Sequence, residues 1–88
     1  MTSLTMTKTI DIPGGMRNIS IDISKEGCNI SMSTSDQSFN VVAGTWEEIN
    51  DPEWMYESFK FEYLVAFKGL ADMLDKIITN KHIYMELL

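Results

Sequence analysis

Residues 18–24 alternate strictly between polar residues and isoleucine, in the order Asn-Ile-Ser-Ile-Asp-Ile-Ser. Successive side chains of a β-strand point to opposite faces, so this pattern predicts a strand with an isoleucine face in the core and a polar face in water. Residues 28–33 alternate in the same way, and Lys25-Glu26-Gly27 between them has a turn composition with glycine at the left-handed position. We therefore predict an antiparallel hairpin over these two segments.

Two further segments have strand character. Residues 7–12 alternate over a short length and end at Pro13-Gly14-Gly15, a turn sequence because proline lacks a backbone donor and glycine permits positive φ. Residues 39–46 are rich in Phe, Val, Thr and Trp and follow a polar turn at 33–37. The sheet is therefore expected to extend beyond the central hairpin.

The C-terminal half opens with a helix-start signal. Asp51 is a favourable N-cap, Pro52 suits the first helical position, and Glu53 places an acid in the first turn. Further on, residues 70–78 are rich in Ala, Leu and Met, which favours a helix from about Gly69 to Thr79 with Asn80 as its C-cap.

The intervening segment 59–67 is ambiguous. Aromatic residues and Val65 occupy every second position from Phe59 to Phe67, and this aromatic and β-branched content favours a strand. An apolar stripe at helical spacing is also present, and it consists of Tyr56, Phe59, Tyr63, Phe67, Leu70, Leu74 and Ile77. We prefer a short helical turn after Pro52, a strand over 59–67 and a helix over 69–79. The alternative is one long helix over 52–79.

These elements predict a single α+β domain over 1–88, with an antiparallel sheet of three to five strands packed by one C-terminal amphipathic helix. The alternative architecture is a hairpin sheet followed by the long helix. The helix is expected to face the sheet through two sets of apolar residues, which are Leu70, Met73, Leu74, Ile77 and Ile78 on the helix, and Ile19, Ile21, Ile23, Ile30 and Val41 on the strands. The apolar tail 83–88 is expected to pack back on the sheet or on a second chain.

The chain has one cysteine, Cys28, so no disulfide within the chain can stabilise it. Its N-terminus lacks the apolar segment of a signal peptide. The longest apolar run is Tyr63 to Phe67, far shorter than the roughly 20 residues that a membrane-spanning helix needs. These features predict a cytoplasmic protein without a membrane partner.

The negative charge is concentrated in the middle of the chain. The net charge is −6, and the stretch from Glu26 to Phe59 contains seven acids and no Lys, Arg or His. Direct binding to nucleic acid is not expected, because phosphate recognition needs concentrated Lys and Arg. An acidic surface favours a basic protein partner, although acidity can also serve solubility alone.

The sequence has little catalytic chemistry. Cys28 and His82 are the only thiol and imidazole, and nothing in their spacing pairs them as a nucleophile and its base. Two such residues are too few for a structural zinc site, and no calcium-loop spacing is present. We therefore expect no enzyme activity, no metal site and no cofactor.

One segment has an unusual composition. Residues 46–57 combine both tryptophans, a tyrosine and five acids. Trp and Tyr dominate interface hot spots, and carboxylates around them suit an Arg- or Lys-rich partner. The predicted partner-binding residues are Trp46, Glu47, Glu48, Asp51, Glu53, Trp54, Tyr56 and Glu57. The alternative is that the two tryptophans are core residues that hold a loop against the fold.

The order of an alternating hairpin, an aromatic segment and one helix resembles many small proteins encoded by phages and prophages, most clearly over residues 62–78. The compact acidic character resembles the phage-encoded anti-CRISPR inhibitors. That resemblance implies a protein that places carboxylates where a nuclease would bind phosphates. It carries no diagnostic motif, so it assigns no role to any residue of this chain.

The leading hypothesis is a non-enzymatic, acidic protein-binding inhibitor of the anti-CRISPR type, which blocks the nucleic-acid-binding surface of a bacterial defence nuclease. Its expected partner is a basic protein surface, such as that of a CRISPR effector. The alternative is a small homo-oligomeric structural or regulatory protein of a mobile element, for example a homodimer.

Overall fold

The computed structural model describes residues 4–34 and 39–88. The strands are β1 (Leu4–Ile12), β2 (Gly15–Ile23), β3 (Gly27–Thr34) and β4 (Phe39–Thr45). They form an antiparallel sheet in the order β1-β2-β3-β4. The helices that follow are α1 (Trp46–Ile49), α2 (Pro52–Phe59), α3 (Leu64–Thr79) and α4 (Lys81–Leu87). The predicted α+β class, with an antiparallel sheet and a C-terminal helix, is confirmed. Most of the predicted turn at 33–37 lies outside the described residues.

The register of the sheet places the isoleucines on one face. Ile21 lies opposite Met6 on β1 and Ile30 on β3, and Ile30 lies opposite Val42 on β4. The predicted strand isoleucines Ile19, Ile21, Ile23 and Ile30 are all buried. The prediction for Val41 is wrong: it is 55% exposed, and its neighbour Val42 packs against the core instead. Because side chains alternate along β4, pairing of Val42 with Ile30 turns Val41 to the open face.

Helix α3 covers the isoleucine face of the sheet. Leu70, Met73, Leu74 and Ile77 are buried as predicted, and Ile78 is half-buried. Gly69 of the helix packs directly on β1, where a Cβ would collide with Cδ1 of Ile10. Its end at Thr79 and its C-cap at Asn80 are confirmed, whereas it begins at Leu64, five residues before the predicted start.

The predicted strand over 59–67 is wrong, and the single long helix over 52–79 is wrong as well. Helix α2 runs to Phe59, residues 60–63 form a turn, and α3 begins at Leu64. The aromatic alternation does not mark one face, because Phe59 is 2% exposed and Phe61 is 94% exposed. The break in the helix lets the side chain of Glu62 reach back to the sheet and pair with Arg17.

Most of the C-terminal tail belongs to a short helix, α4. Tyr84, Met85 and Leu88 pack against the core, as expected for a tail that folds back. Ile83 and Leu87 remain exposed. Within the described part of the chain, no helix is long and apolar enough to cross a membrane.

Candidate functional site

Helix α1 exists because of a capping box at the end of β4. The Glu48 amide donates to Oγ1 of Thr45 at 3.2 Å, and the Thr45 amide donates to Oε1 of Glu48 at 3.0 Å. This reciprocal pair satisfies two donors that a helix start otherwise leaves free. The strand therefore ends at Thr45, and Trp46 begins a helix that the sequence analysis did not predict. Its signal was the Thr45-x-x-Glu48 spacing.

Helix α2 starts as predicted. Oδ1 of Asp51 accepts from the Glu53 amide at 3.0 Å, and Pro52 occupies the first turn. The two helices are joined tightly, because the Asp51 amide donates to the Glu48 carbonyl at 2.9 Å and Nδ2 of Asn50 donates to the Trp46 carbonyl at 2.9 Å. We call residues 46–59 the acidic helix pair.

Trp46 lies in the core and does not face solvent. It is 9% exposed, and its indole Nε1 donates to the Lys25 carbonyl at 3.0 Å. The ammonium of Lys81 lies 4.8 Å from its ring centroid, which is a cation–π contact. Trp46 thus anchors the helix pair to the β2–β3 turn and leaves little of its ring for a partner.

Trp54 is half-buried against β4. A Cβ placed on Gly44 would lie 2.6 Å from Cη2 of Trp54, so the indole packs directly on the glycine backbone. A glycine at this position makes room for the ring. Both tryptophans therefore hold the helix pair to the sheet, which is the core role considered as the alternative in the sequence analysis.

The five carboxylates of the segment are all exposed, but they differ in their neighbours. Glu48 and Asp51 cap helices, and Glu57 accepts from Nζ of Lys60 at 3.0 Å. The side chains of Glu47 and Glu53 make no ion pair or hydrogen bond with the described residues. Those two carboxylates are therefore the ones most available to a cationic side chain of a partner.

The outer face of α2 combines an aromatic ring with acids. Tyr56 is 58% exposed, and it shares a shallow depression with Pro52, Glu53 and Glu57. Residues three and four apart are neighbours on a helix, which explains why Glu53 lies next to both Tyr56 and Glu57. Of the three predicted aromatic anchors, Tyr56 alone presents most of its side chain to solvent.

An apolar groove of about 480 Å³ separates the helix pair from α3. Its apolar walls include Ile49, Met55, Phe67 and Leu74, and Tyr56 and Asp75 add polar groups to its lining. The sequence does not reveal this groove, because it is formed by the tertiary packing of α1, α2 and α3 and by no local pattern of residues. The groove can accept an apolar side chain, and carboxylates lie beside it.

The residues considered for catalysis are not brought into a site. Cys28 is buried on β3, and burial raises the pKa of its thiol to about 11, which disfavours the reactive thiolate. In residues 4–34 and 39–88, no three His, Cys, Asp or Glu side chains are grouped so that they could hold a metal ion. Comparison of the chain with protein families, curated proteins and solved structures gave no match.

Proposed function

We propose that this chain is a non-enzymatic protein-binding inhibitor whose acidic helix pair docks on a basic protein surface. The observation that carries the proposal is the outer face of α2, where Tyr56 is exposed beside Glu53 and Glu57 and next to the apolar groove. A tyrosine beside two carboxylates offers a partner an aromatic contact and two anionic contacts on one short helix.

The charge of the helix pair supports a basic partner. Residues 46–59 contain five acids and no base, and the carboxylates of Glu47 and Glu53 are exposed without a counter-ion in the described chain. Complementary charge accelerates association and selects against acidic partners. Because dissolved ions screen exposed charges, the contribution of these carboxylates to affinity falls as salt rises.

The apolar groove beside the helix pair favours a basic partner segment that carries one large apolar side chain. A basic segment that carries one large aliphatic or aromatic side chain could place that side chain among Met55, Phe67 and Leu74. Its cationic residues would then lie near Glu53 and Glu57. This combination of an apolar anchor and a charged rim is common at the centre of protein interfaces.

In its narrower form, the proposal takes the partner to be the nucleic-acid-binding surface of a bacterial defence nuclease, such as a CRISPR effector. Such surfaces are lined with Lys and Arg that neutralise phosphates. A carboxylate-rich protein bound there would exclude nucleic acid by occupying the site. The support for this form is the acidic charge and the resemblance described above.

The test compares three immobilised proteins in a lysate of the cells in which the chain acts. They are the wild type, the variant Glu47→Lys with Glu53→Lys and Tyr56→Ala, and the control Asp11→Lys with Glu86→Lys. The control makes the same charge change at exposed residues outside the helix pair. Circular dichroism establishes that all three are folded. Trp54 is left intact because its packing on Gly44 is structural.

The informative proteins are those that the wild type and the control retain and the helix-pair variant does not. We expect these proteins to be basic and to bind nucleic acid. Once purified, such a protein should bind the wild type with an affinity that falls with salt, and DNA or RNA should compete for it. Retention of the same proteins by all three baits would contradict the proposal.

A further inference from the structure

The sheet has two outer strands, β1 and β4, and each has one side without a neighbouring strand among the described residues. One hydrogen bond fixes the side to which each residue points. The Ser24 amide donates to the Gly27 carbonyl at 2.9 Å, so these two residues bond to each other at the end of the β2–β3 hairpin. Alternate residues of an antiparallel strand bond to opposite neighbours. By the register, Asn40, Val42 and Gly44 of β4 therefore bond to β3.

Val41 and Ala43 of β4 consequently direct their backbone N–H and C=O groups away from the sheet. Thr45 has the same orientation, and its outward amide donates to Oε1 of Glu48 at 3.0 Å instead of to a strand. Among the described residues, no group bonds to the outward side of Val41 or Ala43. We call residues 40–44 the β4 edge.

The β4 edge lacks the features by which outer strands avoid pairing with other chains. Its residues include no charge and no proline, and the register with β3 continues through them without a bulge. Val41 is 55% exposed, and Ala43 is exposed as well. Charged residues, prolines and bulges are the usual means of protection at sheet edges. The β4 edge is therefore open to an additional strand.

The other outer strand, β1, is protected. Lys8 alternates with Met6 and Ile10, whose side chains pack against the core, so Lys8 also lies on the core side of the sheet. Its side chain is exposed there. A strand added beyond β1 would cover this ammonium, and an inward-pointing charge of this kind disfavours pairing. The β1 edge therefore serves as an internal control for the β4 edge.

We propose that an extended segment of the basic partner binds the β4 edge as a fifth strand, antiparallel to β4. The identity of this partner rests on the proposed function, whereas the form of the contact follows from the edge itself. The β4 edge presents N–H and C=O groups at every second residue. Another extended chain supplies complementary groups at the same spacing, which is the basis of peptide recognition by strand addition.

The neighbours of the β4 edge predict the composition of the added strand. Adjacent strands lie about 4.8 Å apart, so a side chain beside Val42 would lie on the core side of the sheet, the side on which Trp54 packs. Side chains beside Val41 and Ala43 would lie on the open face. Apolar and β-branched residues suit these positions. Glu47 lies two residues beyond β4, exposed and without an ion pair in the described chain, which favours Lys or Arg at the N-terminal end of an antiparallel strand.

The first measurement is amide hydrogen exchange of the isotope-labelled full chain by NMR, with the capped peptide Arg-Arg-Val-Thr-Val-Thr-Val as the probe. In the free protein, the amides of Val41 and Ala43 should exchange faster than the Val42 amide, which bonds to β3. Saturating peptide should slow the exchange of Val41 and Ala43 at least roughly tenfold. The outward amide of Thr7 on β1 should be unaffected. A control peptide with proline in place of both threonines should not bind.

Proline substitution tests the outer side of β4 separately from its inner side. Ala43→Pro removes an outward N–H and leaves the bonds to β3 in place, because Ala43 does not donate to β3. We expect this change to raise the peptide dissociation constant at least roughly tenfold. Thr7→Pro is the matched control on β1 and should leave the dissociation constant unchanged. Circular dichroism establishes that both variants are folded, and the exchange measurement on the wild type needs no variant.

Three results overturn the proposal. The first is exchange of Val41 and Ala43 that millimolar peptide does not slow. The second is equal affinity of the two proline variants for the peptide. The third is protection of Val41 and Ala43 that appears in the wild type without peptide as its concentration rises, because the occupant of the β4 edge is then a second copy of the chain.

Retention of lysate proteins distinguishes this inference from the proposed function. Proteins that Thr7→Pro retains should be lost from Ala43→Pro. If Ala43→Pro retains the proteins that the helix-pair variant loses, the inhibitor function stands and the strand contact is overturned. If the peptide binds the β4 edge but the wild type retains no basic protein, the peptide site stands and the inhibitor function fails.

Discussion

Arg17 on β2 donates from Nε to Oε1 of Glu62 across 3.1 Å, and the two residues are 45 positions apart in the chain. Both side chains are mostly buried, with exposures of 18% and 23%. The same guanidinium donates to the Met16 carbonyl at 3.1 Å and contacts the ring of Tyr63. This cluster fixes the turn between α2 and α3 to one end of the sheet.

We expect Arg17→Ala to destabilise the fold by about 1–2 kcal/mol, because it leaves a partly buried Glu62 carboxylate without its partner. The control is Lys60→Ala, which removes the exposed Lys60–Glu57 pair and should cost no more than about 0.5 kcal/mol. Urea unfolding gives both values. Equal losses in the two variants would contradict a structural role for the Arg17 cluster.

The close approach of α3 to β1 at Gly69 gives a second prediction. Gly69→Ala places a methyl group against Cδ1 of Ile10, and Cγ1 of Ile10 lies 3.1 Å from the same position. We expect a loss of about 1–2 kcal/mol in the free energy of unfolding, since overpacking outweighs the gain in helix propensity.

A double-mutant cycle isolates that contact. Ile10→Val removes the Cδ1 atom, so Gly69→Ala in this background should be neutral or stabilising by up to about 1 kcal/mol. Thermal unfolding of the four proteins measures the coupling. If Gly69→Ala lowers the free energy of unfolding equally in both backgrounds, the collision with Cδ1 of Ile10 is not the cause of the loss.

The sheet could be predicted well from the sequence because the alternation of polar and apolar residues that identifies a strand lies within the strand itself. The alternation at Ile19, Ile21 and Ile23 identifies a buried face without knowledge of the partner strands. The Asp51-Pro52 signal located the start of α2 for the same reason. Val41 was misplaced because Val41 and Val42 are adjacent and similar, so the choice between them depends on pairing with Ile30 across the sheet.

The segment 59–67 could not be predicted from its own residues, since its aromatic pattern fits two periods. The deciding contacts are distant: Arg17 holds Glu62, and Gly69 packs on Ile10. The candidate site was limited in the same way. Composition identified residues 46–57, but the capping of α1, the burial of Trp46 and the groove beside α3 depend on tertiary packing.

Two glycines with positive φ differ in what surrounds them, which gives a third prediction. Gly27 has φ of 155°, and a Cβ there would collide with the Gly44 carbonyl oxygen and lie 2.8 Å from Cα of Thr45. Gly14 has φ of 84°, and no atom lies within 4 Å of its Cβ position. Backbone atoms cannot yield as a flexible side chain can.

We therefore expect Gly27→Ala to prevent stable folding or to cost more than about 3 kcal/mol, because it combines φ strain with a backbone collision. Gly14→Ala should cost about 1 kcal/mol from φ strain alone. Circular dichroism and urea unfolding of the two variants measure the difference. Similar costs would mean that the β2–β3 turn can shift away from Gly44.

The buried thiol of Cys28 makes stability depend on alkaline pH. Burial raises its pKa from 9.0 to about 11, so the folded protein holds this proton more tightly than the unfolded chain does. The resulting stabilisation is fully present below pH 9 and is lost as pH rises through about 11. By linkage, that loss is of the order of 2 kcal/mol.

Cys28→Ala is the control, because it removes the titrating thiol and leaves every other ionisable group in place. The difference in unfolding free energy between wild type and variant should therefore shrink as pH rises from 9 to 11. A thiol reagent at neutral pH should modify native Cys28 far more slowly than the unfolded chain. Parallel pH profiles, with rapid modification of the native protein, would show that the thiol is accessible in the fold.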